Sequence, residues 1–274
     1  MSEALIELVG VRLDHPRGGS PLVINANLRV GRGEVVMIVG AAGVGTSRLV
    51  AATLGEVTPG EGRIDVLGRD VGKLRRSSLR LLRRRVGIVP QDLCLLEDRS
   101  AQLNVVLPLE IDGIPRTVSV ARAATVLAQM GLEDEASLPV DCLSASARQR
   151  VAVARALVRD PELIVADHPT SAQDAEGAER VCEAFYEAAS RGCAVLVLGR
   201  DPALRMIAER NQWRQFALLD GRLLPLGDVA LEGQTIEEIL VGIESAPATL
   251  QPVADPEIPN LVQFPITART AGAR

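Results

Sequence analysis

Apolar and polar positions alternate along residues 4–13 and again along residues 22–30. A period of two marks strands with one buried face. The intervening His15-Pro16-Arg17-Gly18-Gly19-Ser20 supplies the turn of an antiparallel pair. The pattern then changes. Val35-Val36-Met37-Ile38-Val39 is apolar without a break and is closed by Gly40, as a parallel strand buried on both faces requires. A glycine-rich turn follows, and residues 47–54 begin a helix. Residues 62–67 and 86–89 are strand-like. Between Arg116 and Asp160 the period becomes helical, with alanine-rich runs at 121–130 and 147–158. Strands return at 163–166 and 194–198, each followed by helical sequence. Residues 216–219, Asp220-Gly221 and 222–224 read as a closing hairpin. Strands alternating with helices predict an α/β fold. Its sheet is mostly parallel, with an N-terminal antiparallel β subdomain and a helical subdomain at about 92–160.

Composition narrows the class. Hydrophobic residues make up 47% and charged residues 24% of the 274, the mixture of a globular chain. The longest apolar-plus-glycine stretch, 35–44, falls far short of the ~18 residues of a membrane span. No basic-then-apolar leader opens the chain, so no signal peptide is expected and the chain is expected in the cytosol. A net charge of −5 argues against a general nucleic-acid binder. Cys94, Cys142, Cys182 and Cys193 form no CxxC pair and are expected to be reduced core or helix residues. Lys73 is the only lysine among 30 basic residues, and no Phe, Tyr or Trp precedes Phe185. The stretch 73–85 carries Lys73, Arg75, Arg76, Arg80, Arg83, Arg84 and Arg85 with no acid. It is expected to be a solvated face; the sharper reading is contact with anionic lipid or a permease loop. Pro247, Pro252, Pro256, Pro259 and Pro265 punctuate residues 244–274, which read as a mobile tail after a domain spanning 1–243.

Gly40-Ala41-Ala42-Gly43-Val44-Gly45-Thr46-Ser47 lies between the buried strand and a helix, the context of a phosphate-binding loop. Glycines let successive N–H groups turn inward, and the helix N-terminus adds its positive end. Ser47 is placed to ligate Mg²⁺, but the lysine position of GxxxxGK[ST] is Thr46. By itself this loop could be a mere glycine-rich turn. A second element supports it: Leu163-Ile164-Val165-Ala166-Asp167 is an apolar strand ending in an acid, the pattern that holds a Mg²⁺ shell.

Upstream of that strand, the run from Leu143-Ser144-Ala145-Ser146-Ala147 through Arg148-Gln149-Arg150 to Ala154-Arg155-Ala156-Leu157 resembles the LSGGQ signature helix of ATP-binding cassette (ABC) ATPases. Asp167-His168-Pro169-Thr170-Ser171-Ala172-Gln173-Asp174 is similar to their "DEPTSALD", and Val86-Gly87-Ile88-Val89-Pro90-Gln91-Asp92 to their Q-loop. Leu95-Leu96 and Asn104-Val105 continue the pattern of the FtsE/LolD/MacB branch. Leu198-Gly199-Arg200-Asp201-Pro202 stands where the H-loop "THDP" is expected. The resemblance covers roughly residues 3–243, in order and at family spacing.

The resemblance implies a P-loop NTPase of ABC-ATPase type that uses ATP with Mg²⁺. It implies a membrane permease partner and a second nucleotide-binding subunit, in a homodimer or heterodimer, and a cytoplasmic location on the inner face of the membrane. Nucleotide contacts fall on Gly40, Ala41, Ala42, Gly43, Val44, Gly45, Thr46, Ser47 and, in place of an adenine-stacking aromatic, His15. Metal contacts fall on Ser47, Gln91 and Asp167. Contacts made across a dimer fall on Ser144, Ala145, Ser146 and Asp174, and the catalytic positions are His168, Gln91 and Arg200. The departures follow a theme. Thr46 replaces the phosphate-clamping lysine, His168 the water-activating glutamate, Arg200 the γ-phosphate-sensing histidine, and Ala145 and Ser146 the two signature glycines. The expectation is a pseudo-ATPase that binds nucleotide weakly and acts structurally or in regulation. The alternatives are a working ATPase with non-standard residues, and a soluble ABC protein outside transport. The latter usually carries tandem cassettes or coiled-coil inserts, absent from this sequence.

Overall fold

The computed structural model describes residues 3–41 and 43–226. The boundary at 243, the tail 244–274 and Ala42 therefore lie outside the described residues. The chain forms two sheets. The first has the order β2-β1-β4-β5, from β1 (Ala4–Leu13), β2 (Val23–Gly31), β4 (Glu61–Val66) and β5 (Arg69–Asp70), all antiparallel. Residues 4–13 do pair with the second strand, but they also pair with β4 on their other edge. The second sheet has the order β10-β9-β3-β8-β7-β6. It uses β3 (Val35–Gly40), β6 (Val86–Val89), β7 (Leu163–Asp167), β8 (Ala194–Leu198), β9 (Arg214–Leu219) and β10 (Arg222–Pro225). All its pairings are parallel except the terminal β9–β10 hairpin.

The unbroken apolar runs are explained by burial on two sides. Val35, Met37 and Val39 of β3 face one core, with Ile164, Ala166, Val195 and Val197. Val36 and Ile38 face the other, with Leu163, Val165, Leu196 and Leu198. The first core is closed by the helices α3 (Ala101–Ile111), α4 (Arg116–Gln129), α5 (Ala145–Leu157), α6 (Ala175–Ser190) and α7 (Pro202–Arg210). The second is closed by the antiparallel sheet and α1 (Thr46–Thr53), with Leu82 of α2 (Arg76–Arg83) at its rim.

Helix α3 does not stand out in the sequence. Its residues are apolar on every side and Pro108 interrupts it, so no 3.6-residue stripe is visible. Ser100 caps it by accepting from the Leu103 N–H at 3.2 Å. The Pro108 carbonyl accepts from Arg159 at 2.6 Å. The stretch 73–85, expected as a solvated face, contains the short helix α2. Among the cysteines, Cys182 and Cys193 are buried as expected, whereas Cys94 and Cys142 are exposed. Cys94 lies on the connection from β6 to α3, and Cys142 in a 3-10 turn between α4 and α5.

Candidate nucleotide-binding site

The loop from Gly40 to Gly45 joins the C-terminal end of β3 to α1. Two glycines there are sterically required. A Cβ on Gly40 would lie 2.9 Å from Cγ2 of both Thr46 and Val44. One on Gly45, whose φ is +110°, would lie 2.8 Å from Cβ of Leu22. Gly43 also has a positive φ, +83°. The Gly45 carbonyl accepts the Leu49 N–H at 2.9 Å, so the loop runs straight into the helix and leaves the first N–H groups of α1 free for a ligand. Thr46 is 7% exposed. Its methyl fills the space beside Gly40, and among the described residues no cation lines the adjoining cleft. Arg48, the nearest cation in sequence, has its Nε buried without a partner.

Three predicted metal contacts come together. Ser47, Gln91 and Asp167 line one cleft of about 680 Å³, together with Val50, Leu54 and Ile88. The Ser47 hydroxyl points at the Gln91 side-chain oxygen across 3.4 Å, longer than a normal O–H···O bond. Asp167 ends β7 and is 4% exposed. An all-oxygen set with a loosely held hydroxyl fits a small hard cation such as Mg²⁺.

His168 follows Asp167 with φ +52°. Its N–H donates to the Leu198 carbonyl at 2.7 Å, and its own carbonyl accepts from Gln149 at 2.8 Å. Its Nδ1 lies 2.8 Å from Asp167 Oδ1. A carboxylate only accepts, so Nδ1 is the donor of this pair. Arg200 sits between β8 and α7, beside Asp201, which caps α7 through the Leu204 N–H at 2.9 Å. Asp201 also accepts from the Thr170 hydroxyl at 2.6 Å, tying that junction to the turn after His168.

The signature residues face their own chain. Ser144 caps α5 by accepting from the Ala147 N–H at 3.1 Å. The Ser146 hydroxyl donates to Gln173 at 3.0 Å, and Gln173 returns a bond to the Ser146 carbonyl at 2.9 Å. Asp174 caps α6 through the Gly177 N–H at 2.8 Å. His15 accepts the Arg17 N–H on Nδ1 at 3.1 Å. It lies on the β1–β2 connection, which ends at Leu22 against Gly45.

Two contributors escape sequence reading. Gln149, 3% exposed, accepts from the Ala172 N–H and from Gln173, each at 3.0 Å, and so fixes the turn after Asp167. Arg155 donates to the carbonyls of Leu93 and Cys94, consecutive residues at φ +59° and +45°. It holds a left-handed turn that neither side chain favours. Burial lowers the Arg155 guanidinium below its ordinary value. Burial, then the Asp92 carboxylate 2.9 Å from Sγ, pushes the Cys94 thiol up to about 11. Both residues lie in segments the motifs mark, but only the folded contacts reveal their jobs.

Comparison with known proteins agrees with this geometry. Residues 23–171 match the family model described as ABC transporter. The chain is 34% identical over 215 residues to the methionine import ATP-binding protein MetN of Mesorhizobium japonicum, spanning 77% of this chain and 58% of that protein. It is 36% identical over 210 residues to the macrolide export ATP-binding/permease protein MacB of Salmonella typhi, spanning 76% of this chain and 32% of MacB. The chain thus spans under two thirds of the length of these relatives. The dimeric ATP-binding cassette MJ0796 bound to ADP and Pi superposes with a TM-score of 0.73 at 29% identity, covering 80% of this chain and 96% of that one. Among the described residues no helix is long and apolar enough to cross a membrane. The chain is a member of the ABC transporter family and carries its nucleotide-binding ATPase domain.

Proposed function

We propose that this chain is the nucleotide-binding subunit of a membrane permease complex and that it is a pseudo-ATPase, binding nucleotide weakly and hydrolysing little or none. One observation carries the reading: the buried methyl of Thr46 stands where the loop's phosphate-neutralising ammonium belongs. A charge-assisted bond to phosphate is worth about 1.5–3 kcal/mol, so its loss costs roughly 10- to 100-fold in affinity. Binding at millimolar nucleotide survives that loss. Catalysis does not, because positioning and charge stabilisation supply nearly all of phosphoryl-transfer acceleration.

In this reading the N–H groups of residues 40–47 cradle the phosphates, and His15 offers the adenine a flat partner. Ser47, Gln91 and Asp167 would hold Mg²⁺, which supplies charge neutralisation at the phosphates. Asp167 divides its carboxylate between that duty and His168. Ser144, Ala145, Ser146 and Asp174 would face a second nucleotide-binding subunit. Ser146 is turned toward Gln173, and Ala145 brings a Cβ to a glycine position. The partner membrane subunit would be a permease of the FtsX/LolC/MacB type, reached from the cytoplasmic face, with the domain at 1–243 and its helical part at about 92–160. The similarity to MacB and the Leu95-Leu96 and Asn104-Val105 pattern support that branch. The similarity to MetN supports an import role instead.

A second reading has its own support. Asp167 holds His168 through Nδ1, which would leave Nε2 to act on water as a general base. An active ATPase would then use His168 on the water. The deciding experiment is ATP turnover by the purified chain, alone and with its permease. Turnover at background supports the pseudo-ATPase. Mg²⁺-dependent phosphate release that disappears in His168→Ala overturns it and makes His168 the base.

A further inference from the structure

The basic stretch before β6 forms a second concave site. Arg76, Arg80 and Arg83 fall at i, i+4 and i+7, on one face of α2. With Gly55 and Leu79 they line a depression of about 500 Å³ between α2 and the end of α1. The floor depends on Gly55: a Cβ there would lie 2.8 Å from a Leu79 methyl. Neighbouring arginines are already engaged. Arg83 donates to the Leu54 carbonyl at 2.9 Å and faces Glu56 at 3.6 Å, Arg84 faces Asp112 at 3.5 Å, and Arg85 pairs with Glu162. Arg76 and Arg80 have no carboxylate within ion-pair reach among the described residues. Like charges four apart on a helix destabilise it, and α2 has no acid to offset them. This concentration of positive charge also runs against the net charge of −5. Leu81, 60% exposed, adds an apolar neighbour.

We propose that this depression binds a phosphate ester, either the headgroup of an anionic lipid or a free phosphate ester. Guanidinium forks match phosphate oxygens in pairs, and two forks without a carboxylate beside a third bound one give a converging set of donors. The inference does not rest on the nucleotide site, whose loop lies at the other end of α1.

The test uses the full chain in three forms: native, Arg76→Gln/Arg80→Gln, and Arg17→Gln/Arg122→Gln as a control with equal charge loss. Flotation with phosphatidylcholine vesicles carrying phosphatidylglycerol, against phosphatidylcholine alone, reads the lipid. Calorimetry with glycerol 3-phosphate, without nucleotide or Mg²⁺, reads the free ester. At an anionic surface each arginine contributes roughly five-fold, so the α2 pair should weaken binding roughly 30-fold and the control pair should leave it nearly unchanged. An α2-dependent signal in the vesicle arm assigns the lipid; one in the calorimetric arm assigns the free ester. Neither variant should melt below the native chain, since all four substituted arginines are at the surface, and relief of the Arg76–Arg80 repulsion should raise the α2 variant slightly. Binding in neither arm, or equal weakening by both pairs, overturns the proposal.

Discussion

Replacing Thr46 by lysine separates nucleotide binding from hydrolysis. Thr46 opens α1, and its methyl packs beside Gly40 and Val44. A lysine Cγ takes the same place, and lysine is at least as good a helix former as threonine, so the fold should be retained. The new ammonium gains about 1.5–3 kcal/mol on phosphate. Ordering its side chain costs up to about 2 kcal/mol, though part of that cost is already met where the stem packs on the loop. The net expectation is an affinity gain of roughly 10-fold, with 100-fold as the ceiling. Calorimetry with ATP and Mg²⁺ on both proteins measures it, and single-turnover phosphate release on the same samples reads chemistry. Release should stay at background, because the water still lacks a carboxylate at position 168 and the losses act as one unit. Combining it with His168→Glu and Arg200→His should restore some release, limited by Ala145 and Ser146. Unchanged affinity in a folded Thr46→Lys protein would mean that the loop does not hold phosphate. Release above background in the single variant would mean that a glutamate at 168 is not needed.

Four further outcomes are expected. His168→Glu places a second carboxylate beside Asp167, so its thermal midpoint without Mg²⁺ should fall and should recover on adding Mg²⁺; a midpoint indifferent to Mg²⁺ would remove Asp167 from the metal shell. Leu96 is 46% exposed on the connection from β6 to α3; Leu96→Glu should release the chain from its permease without unfolding it, and unchanged co-purification would refute docking there. Cys94, raised from 9.0 to about 11, should be alkylated near neutral pH about 100-fold more slowly than an unperturbed thiol, and faster in Asp92→Asn, as maleimide kinetics would show. Glu162 is depressed below its ordinary value, first by the hydrogen bond from Arg85. A depressed carboxylate contributes stability above its unfolded pKa and loses it as pH falls through the folded one. Glu162→Gln should therefore flatten the acid limb of the stability profile slightly, since the pair is partly exposed; an unchanged limb would refute the linkage.

Whether a residue's role is legible in the sequence depends on whether that role is local. The strands 86–89 and 194–198 can be read at or near their observed bounds, because burial leaves an apolar run stopped by Pro90 in one and by Gly192 and Gly199 in the other. Helix α3 cannot, because the apolar Leu107 and Ile111 stand on its exposed side and erase the stripe that identifies a helix, and Pro108 reads as a stop. The loop glycines are legible because their backbone demands are local. The clamp of Arg155 on Leu93 and Cys94 is not, since it joins residues far apart in sequence and nothing in an alanine-rich helix sets one arginine apart from its neighbours. The exposure of Cys94 and Cys142 goes against expectation for a similar reason: a cysteine's burial depends on packing that no local pattern encodes.

Apart from Ser47, Gln91 and Asp167, which line the cleft, most residues that this chain shares with the family motif have structural roles that the exchanged ones lack. Ser144, Asp174 and Asp201 each cap a helix, and Gln149 fixes the turn after Asp167 with bonds that need no ligand. Gly40 and Gly45 leave no room for a side chain. Changing any of these would cost about 1–3 kcal/mol of folding free energy through a lost cap, an unsatisfied buried group or backbone strain. Two exchanged positions, Thr46 and His168, carry no such penalty. Thr46 packs in the loop without any lysine, and His168 satisfies Asp167 as well as its own backbone. Selection for a folded, dockable subunit would therefore hold the first set in place while leaving the second free to change. A subunit still selected for turnover would hold both.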